Sequence, residues 1–252
     1  MAVRKKQDDS GEPPAPLWQR LEGAAAVPRQ ILTPQLIATT AVAIADADGL
    51  DAITMRRLAT DLGVAPMAAY RYVSGKEDVL ELMVDLAYAE LSAEPVPGGW
   101  RAGLRAQALD TRELMLRHPW LVQLSPQTAF ALTPHRMAAA ERALAVLEEA
   151  VADPDARMAA VRTVEAYVHG AVGVEVSMRQ LMAGEGLGSG HELREALAPQ
   201  MVWLLRTGRY PAVQRYVHGA VRKDDAAWQF EAGLDAVIDG LGGRFVGGGA
   251  AR

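Results

Sequence analysis

The stretch from Thr54 to Lys76 restricts the fold more than any other part of this 252-residue chain. Its first half places apolar residues at the i, i+3, i+4 and i+7 spacing of one helical face: Met55, Leu58, Ala59 and Leu62. Thr54 stands where an N-cap oxygen is needed, and Gly63 follows where a left-handed residue ends many helices. The pattern predicts a short helix from Met55 to Leu62.

A second short helix is predicted after the turn Gly63-Val64-Ala65, because Pro66 suits the first turn of a helix. We expect it to reach Val73, with Ala69, Tyr70 and Val73 facing inward. The outer face would then carry Met67, Ala68, Arg71 and Tyr72. Two helices joined by so short a turn are typical of a helix-turn-helix, whose second helix enters a groove of DNA.

Two further helices complete this head. Thr33-Pro34 predicts the start of a helix that closes before Gly49. Ser74 and Glu77 have the spacing of a capping box, which predicts a connector helix through about Leu91. Its buried stripe would be Val79, Leu82, Met83, Leu86 and Ala87.

The segments ADGLDAITMRRLATDLGV and APMAAYRYVSGKEDVLELM resemble the TetR family of transcriptional regulators over roughly residues 33 to 91. The resemblance implies that Thr54, Tyr70 and Lys76 touch phosphates, while Arg56 and the outer face of the second helix approach base edges. The full set of expected DNA contacts is Thr54, Arg56, Pro66, Met67, Ala68, Tyr70, Arg71, Tyr72 and Lys76.

The side-chain chemistry leaves alternatives within this set. Met67 and Ala68 cannot donate hydrogen bonds, so Arg56, Arg71 and Tyr72 would read bases while the apolar pair contacts thymine methyls. Tyr70 has a second interpretation, in which its ring packs inside the head and only its hydroxyl faces out. Arg56 and Arg57 are neighbours on a helix and cannot share a face; we favour Arg56 for DNA.

The charge of the head opposes this interpretation. Residues 33–92 carry four basic and nine acidic side chains in a chain of net charge −5, whereas nucleic-acid binders usually show a basic footprint. An alternative therefore stays open: a helical small-molecule-binding or scaffold protein whose DNA-reading head has lost function. The motif itself favours the regulator, because Asp61 is its only acid.

The sequence predicts an all-α fold with a three-helix head, the connector and a larger helical body. We divide it into a disordered tail (1–30), the helix-turn-helix domain with connector (31–92), the body (93–245) and a second disordered tail (246–252). No strand pattern is convincing, and the segment from Gly184 to Gly190 is the main break. Body helices are expected at about Trp100–Arg117, Trp120–Leu124, Pro134–Ala150, Pro154–Ala183, Glu192–Thr207, Pro211–Val217 and Asp225–Leu241.

The resemblance implies that the body binds a ligand and forms a homodimer. A single recognition helix makes few base contacts, each worth about 1–3 kcal/mol, so two half-sites are needed for selectivity. The long helix from Pro154 and the last helix would pair with a second copy as a four-helix bundle; alternatively, their apolar stripes form the monomer core. The expected activity is that of a repressor that binds a near-palindromic double-stranded DNA operator and is released by a small molecule. The sequence does not distinguish a repressor from an activator.

A ligand site in the body is predicted from polar and aromatic residues within apolar helices, the usual composition of small-molecule pockets. Glu165 and His169 lie one turn apart on the same face. For each residue alone, a role in the core or an interface is the alternative. The candidates are Trp120, Gln123, Gln127, Phe130, Glu165, His169, Met178 and Trp203, with Tyr167 and Glu175 beside them.

Other classes of protein lack support in the sequence. The chain has no cysteine, which removes disulfides and thiolate chemistry. Ser189 lacks the GxSxG context because Leu187 replaces a glycine, and the segment from His191 lacks the second histidine of HExxH. We therefore expect no enzyme, no catalytic metal and no cofactor. With no apolar run of membrane length and no signal-peptide core, a cytoplasmic protein is expected, without a membrane partner.

Overall fold

The computed structural model describes residues 32–91, 94 and 96–246, so the predictions for the N-terminal tail and most of the C-terminal tail lie outside the described residues. Those residues form eleven α-helices and contain no strand, which confirms the all-α prediction. The head contains α1 (Pro34–Asp48), α2 (Met55–Asp61), α3 (Pro66–Ala69) and the connector α4 (Lys76–Tyr88). The body contains α5 (Gly99–Arg117), α6 (Pro126–Ala129), α7 (Pro134–Ala145), α8 (Pro154–Gly184), α9 (Gly190–Arg206), α10 (Pro211–Gly219) and α11 (Ala226–Leu241).

The head begins its helices where the cap residues predicted. Thr33 Oγ1 accepts a hydrogen bond from the Leu36 amide at 3.1 Å, and Thr54 Oγ1 accepts one from the Arg57 amide at 3.1 Å. Gly63 has φ +65°, the left-handed conformation that glycine adopts at least cost. These bonds satisfy amides that have no partner within the helix.

Two boundaries in the head differ from the prediction. Helix α3 ends at Ala69 rather than Val73, because the Tyr72 amide bonds to the Ala69 carbonyl three residues back and tightens the chain into a turn. The connector begins at Lys76 and ends at Tyr88, and the predicted capping box is wrong.

Asp78 takes the place of Glu77 at the start of the connector. Its Oδ2 accepts from the Ser74 amide at 2.7 Å and from the Ser74 hydroxyl at 2.8 Å. Glu77 points toward the body instead, where its Oε2 accepts from the Thr128 hydroxyl at 3.4 Å. The acid that bonds to Ser74 is therefore Asp78, one position later in the helix than the predicted Glu77.

The apolar stripes of α1 and α4 pack against each other and close the head. Ile37 and Ala41 of α1 are fully buried, as are Val79 and Met83 of α4. Because α4 also packs on α7, head and body share one continuous core. The connector therefore packs against both parts.

The body is built around α8, which packs on α5 and α11. The valines predicted for a dimer interface, such as Val168 and Val172, are buried within the monomer together with Leu234 of α11. The monomer-core alternative is therefore correct for these stripes. Helix α7 also ends earlier than predicted, at Ala145. The chain continues in turns in which several backbone amides donate to the carbonyl three residues earlier.

A glycine allows α8 and α11 to approach closely. A Cβ at Gly233 would lie 2.2 Å from the Tyr167 hydroxyl oxygen, well inside contact distance. That hydroxyl donates to the Phe230 carbonyl at 2.7 Å, and the two rings lie 5.5 Å apart. The crossing of these helices thus depends on the missing side chain.

Candidate functional site

The two adjacent arginines of α2 have different surroundings. Arg57 donates from Nε to Asp61 at 2.9 Å and from Nη2 to Asp48 at 3.0 Å. The hydrogen bond to Asp61, followed by that to Asp48, raises the pKa of Arg57 above its ordinary value. Arg56 is exposed and makes no ion pair within the described part of the chain. Of these two neighbouring arginines, Arg56 is therefore the one that presents an unneutralised guanidinium to solvent.

The surface around α3 is apolar at its centre and basic at its edge. Met67 is 72% exposed and Tyr70 is 44% exposed, and both Pro66 and Arg71 are also exposed. An apolar side chain this exposed beside an arginine can contact thymine methyl groups in the major groove.

The two tyrosines after α3 exchange the roles that the sequence predicted. Tyr70, expected to face inward, is exposed, whereas Tyr72, expected on the outer face, is half-buried against the core together with Ala68. The cause is the early end of α3. In the tight turn that follows, each residue advances about 120° rather than 100° around the axis, which carries Tyr72 back toward the core.

Thr54 and Lys76 flank this surface with donors that are partly engaged. The Thr54 oxygen accepts the Arg57 amide, which leaves its hydroxyl proton available as a donor. Lys76 is half-buried, and its Nζ donates to the Leu50 carbonyl at 3.3 Å. An ammonium group has three donors, so one bond to Leu50 leaves two for a phosphate.

Several of the acidic side chains that made the head look unsuitable for DNA have partners within the protein. Asp48 and Asp61 neutralise Arg57. Asp46 and Asp85 accept from body side chains at distances of 2.8 Å. The charge count of the sequence could not show that these carboxylates join the head to itself and to the body.

An open cavity of about 540 Å³ lies on α8 beside the 3₁₀ turn Pro119–Gln123. Three predicted ligand residues line it: Gln123, His169 and Met178. His169 Nδ1 lies 2.9 Å from the Glu165 carbonyl and donates to it, so Nε2 remains an acceptor. The cavity thus combines apolar walls with a few polar groups.

The other five predicted ligand residues do not line this cavity. Trp120 is buried against the head, and Glu165 is exposed on α8. Gln127, Phe130 and Trp203 are also exposed, the last on α9. The burial of these side chains could not be predicted from the sequence, because a single residue within a helical segment does not show whether it faces the core or the solvent.

The small residues of α8 were the missed signal for the cavity. Gly170, Gly173 and Ser177 line it, at the three- and four-residue spacing of one helical face. Glu175 and Tyr167 serve helix packing instead: Glu175 pairs with Arg112 at 2.8 Å, and Tyr167 bonds to α11. Burial raises the pKa of Tyr167 above its ordinary value.

No helix in the described ranges is long and apolar enough to cross a bilayer. The head has the order of a helix-turn-helix domain with an exposed cationic and apolar recognition surface, and the body is a helical domain with a cavity. Together these parts define the class of helix-turn-helix transcriptional regulators that carry a helical body.

Comparison with known proteins identifies the family. The family model described as "Tetracyclin repressor-like, C-terminal domain" matches residues 93–244. The chain is 34% identical over 228 residues to the HTH-type transcriptional repressor DrrR1 of Streptomyces coeruleorubidus, covering 89% of this chain and 83% of that protein. It is 31% identical over 246 residues to an HTH-type transcriptional regulator of Saccharopolyspora erythraea, covering 96% and 97%.

A solved structure shows the same fold. The Streptomyces coelicolor TetR family protein ActR, in complex with actinorhodin, has a TM-score of 0.69 at 26% identity and covers 87% of this chain and 99% of its own. The chain therefore belongs to the TetR family of transcriptional regulators.

Proposed function

We propose that this protein represses transcription by binding a near-palindromic DNA operator as a homodimer, and that a small molecule releases it. The observation that carries the proposal is the contrast within α2, where Arg57 is neutralised and Arg56 is not, together with the exposure of Met67, Tyr70 and Arg71 in the segment that follows. The relative DrrR1 is named a transcriptional repressor. We further propose that the protein acts in the cytoplasm as a binding regulator and catalyses no reaction.

In the proposed contact, each chemical group has one task. Arg56 and Arg71 would donate to base edges, with a guanine the favoured partner of an arginine. Met67 would contact thymine methyls. The hydroxyls of Thr54 and Tyr70 and the ammonium of Lys76 would bind phosphates, which position the head without reading sequence.

We place the dimer interface on the outer faces of α8 and α11. These faces are exposed and carry small residues that permit close packing between helices: Ala159 and Ala166 on α8, and Ala232, Ala236 and Gly240 on α11. The opposite faces of both helices already form the core. Four such helices, two from each chain, make the bundle that we propose.

The proposed effector site is the cavity lined by Gln123, His169 and Met178. Its size falls within the range of about 300–1,000 Å³ that is usual for small-molecule sites. ActR was solved with actinorhodin, which makes that compound a suitable first probe here. A ligand releases the operator only if it binds the DNA-incompetent arrangement of the dimer more tightly.

The test is a gel shift of the purified protein on the DNA upstream of its own gene, at two salt concentrations, together with selection from random duplexes. We expect Arg56→Ala and Arg71→Ala to lose sequence preference. Lys76→Ala should weaken all duplexes alike and lower the salt slope by about one unit. Arg206→Ala, on α9, which together with α10 we call the arm, is the matched control and should bind normally because Arg206 is exposed.

Two results would contradict this proposal. Absence of a specific complex on every duplex would favour the alternative of a helical binding protein with an inactive head. Equal loss from Arg56→Ala, Arg71→Ala and Lys76→Ala would refute the division between base-reading and phosphate-binding residues.

A further inference from the structure

Four side chains from head and body meet where the connector leaves the head. Asp46 lies near the end of α1, and Glu90 lies just after α4. His118 directly follows α5, and Trp120 belongs to the 3₁₀ turn after it. We call these four residues the joint cluster.

The His118 ring lies between the two acids of the head. Its Nδ1 is 2.8 Å from Asp46 Oδ1, and its Nε2 is 3.0 Å from Glu90 Oε1. The residue is only 5% exposed. Because ionised carboxylates only accept hydrogen bonds, a nitrogen of this ring that bonds to either acid does so as the donor.

Trp120 strengthens the same connection. It is 1% exposed, and its Nε1–H donates to Asp46 Oδ1 at 2.8 Å. Its ring lies 5.8 Å from that of His118. Asp46 therefore accepts from two buried rings of the body, which restricts its position more than a single surface ion pair would.

The charges around the ring come from every element that meets it. Asp46 belongs to α1 and Glu90 follows α4, while Arg117 at the end of α5 also pairs with Glu90. A second bond from Arg117 reaches Glu113 at 2.9 Å. The joint cluster is thus part of a network in which side chains of the body, including the cation Arg117, bind carboxylates of the head.

A second contact ties the connector itself to the body. The Asp85 carboxylate of α4 accepts from the backbone amide and the Nδ1 of His135, both at 2.8 Å. The joint cluster ties α1, which packs on α4, to the body as well. The two contacts together therefore link both long helices of the head to the body.

We propose that His118 is a positioning residue for operator binding: it fixes the angle of the head on the body and thereby the separation of the two recognition surfaces in the dimer. The inference rests on the proposed function for its consequence at DNA. The restriction of the head angle does not depend on DNA and is measured separately.

The first measurement needs no DNA. The chain has no cysteine, so Ala65→Cys in the head and Glu149→Cys in the body accept spin labels at two chosen exposed sites. Labelled chains are diluted with unlabelled protein, and the distance distribution between the labels is recorded by pulsed electron resonance. We expect His118→Gln to broaden or shift this distribution.

Two further variants keep the measurement interpretable. Asp46→Asn retains the size of the side chain and an acceptor for Trp120 but loses the charge, so it should broaden the distribution even if His118→Gln does not fold. His191→Gln removes an exposed histidine that lies 3.6 Å from Glu195 on the arm, and should leave the distribution unchanged. An unchanged distribution in folded His118→Gln or Asp46→Asn overturns the proposal.

The second measurement uses duplexes whose half-sites differ in spacing by one or two base pairs. We expect His118→Gln to lose about tenfold in affinity at the preferred spacing and less at the others, a loss within the usual range of coupling between sites. Equal loss at all spacings would indicate a merely structural role and overturn the positioning role. If the unmodified protein binds no duplex, the proposed function fails, while the label distances still decide whether His118 holds the head.

Discussion

The body contains two pairs of helices with similar apolar content. They differ in whether their apolar residues are buried. In α8 and α11, the stripes that include Val168 and Leu234 are buried. In the arm, formed by α9 and α10, large apolar residues remain exposed in this chain: Leu197, Met201, Val202, Trp203, Val213 and Tyr216. Apolar content alone therefore does not determine which helices enter the core.

The difference lies in how closely each pair approaches its neighbours. Gly233 lets α11 meet Tyr167 of α8, and Arg105 of α5 binds Glu231 and Asp235 of α11. The arm is attached at its base by polar contacts, including the pair of Arg194 with Asp224. In this protein, the helices that approach closely and form ion pairs with their neighbours are the ones that belong to the core. An amphipathic pattern alone predicts a helix and does not predict its burial.

The largest test of this comparison truncates one leucine in each pair. Leu234 is 0% exposed, so Leu234→Ala should destabilise the protein by about 2–5 kcal/mol through lost burial and a cavity. Leu197 of the arm is 49% exposed, and Leu197→Ala should change the free energy of unfolding by about 0.5 kcal/mol or less. Both are measured by urea denaturation at a fixed protein concentration.

A similar loss from both leucines would break the comparison. It would mean that the arm is buried in the assembled protein to the same extent as α11. Dilution of the sample separates the two cases, because burial against a second copy makes the midpoint depend on concentration.

The next test fills the space at the helix crossing. Gly233→Ala puts a Cβ against the Tyr167 hydroxyl, and we expect a loss of about 1–3 kcal/mol, typical of overpacking. Gly184→Ala is the matched control, because no described atom lies within 4 Å of its Cβ position. It should be neutral or slightly stabilising, since alanine favours a helix over glycine. A stabilised Gly233→Ala protein would show that the crossing adjusts without cost.

Helix starts could be predicted from the sequence because they depend on neighbours in the chain. Thr33 and Thr54 cap their helices as their spacing indicated. Helix ends were harder: α3 stops at Ala69 and α7 at Ala145, where the chain tightens into turns without a glycine or proline to mark them. The body core could be predicted only as stripes, because their burial depends on which helices meet.

The candidate sites divide along the same line. The DNA-facing set remains a prediction. The contrast between Arg56 and Arg57 depends in part on Asp48, which binds Arg57 and lies nine residues from it in sequence but close to it in space. The joint cluster could not be predicted from the sequence, because His118 lies 72 residues from Asp46 and no local pattern connects them. Contacts between distant segments need the fold, whereas caps and stripes do not.

The smallest test removes one hydroxyl from each pair of helices. Tyr167→Phe loses the bond to the Phe230 carbonyl and should cost about 1 kcal/mol, whereas Tyr216→Phe in the arm should cost nothing measurable.

Burial raises the pKa of Tyr167 above the ordinary value of 10.0, so the folded state favours the protonated hydroxyl. That contribution is complete below the unfolded pKa, near pH 10, and is lost as the pH rises through the folded value. Stability should therefore fall above about pH 10 less steeply in Tyr167→Phe than in the unmodified protein, as measured by urea denaturation across that range. Identical slopes would show that the crossing of α8 and α11 does not shield this hydroxyl from solvent.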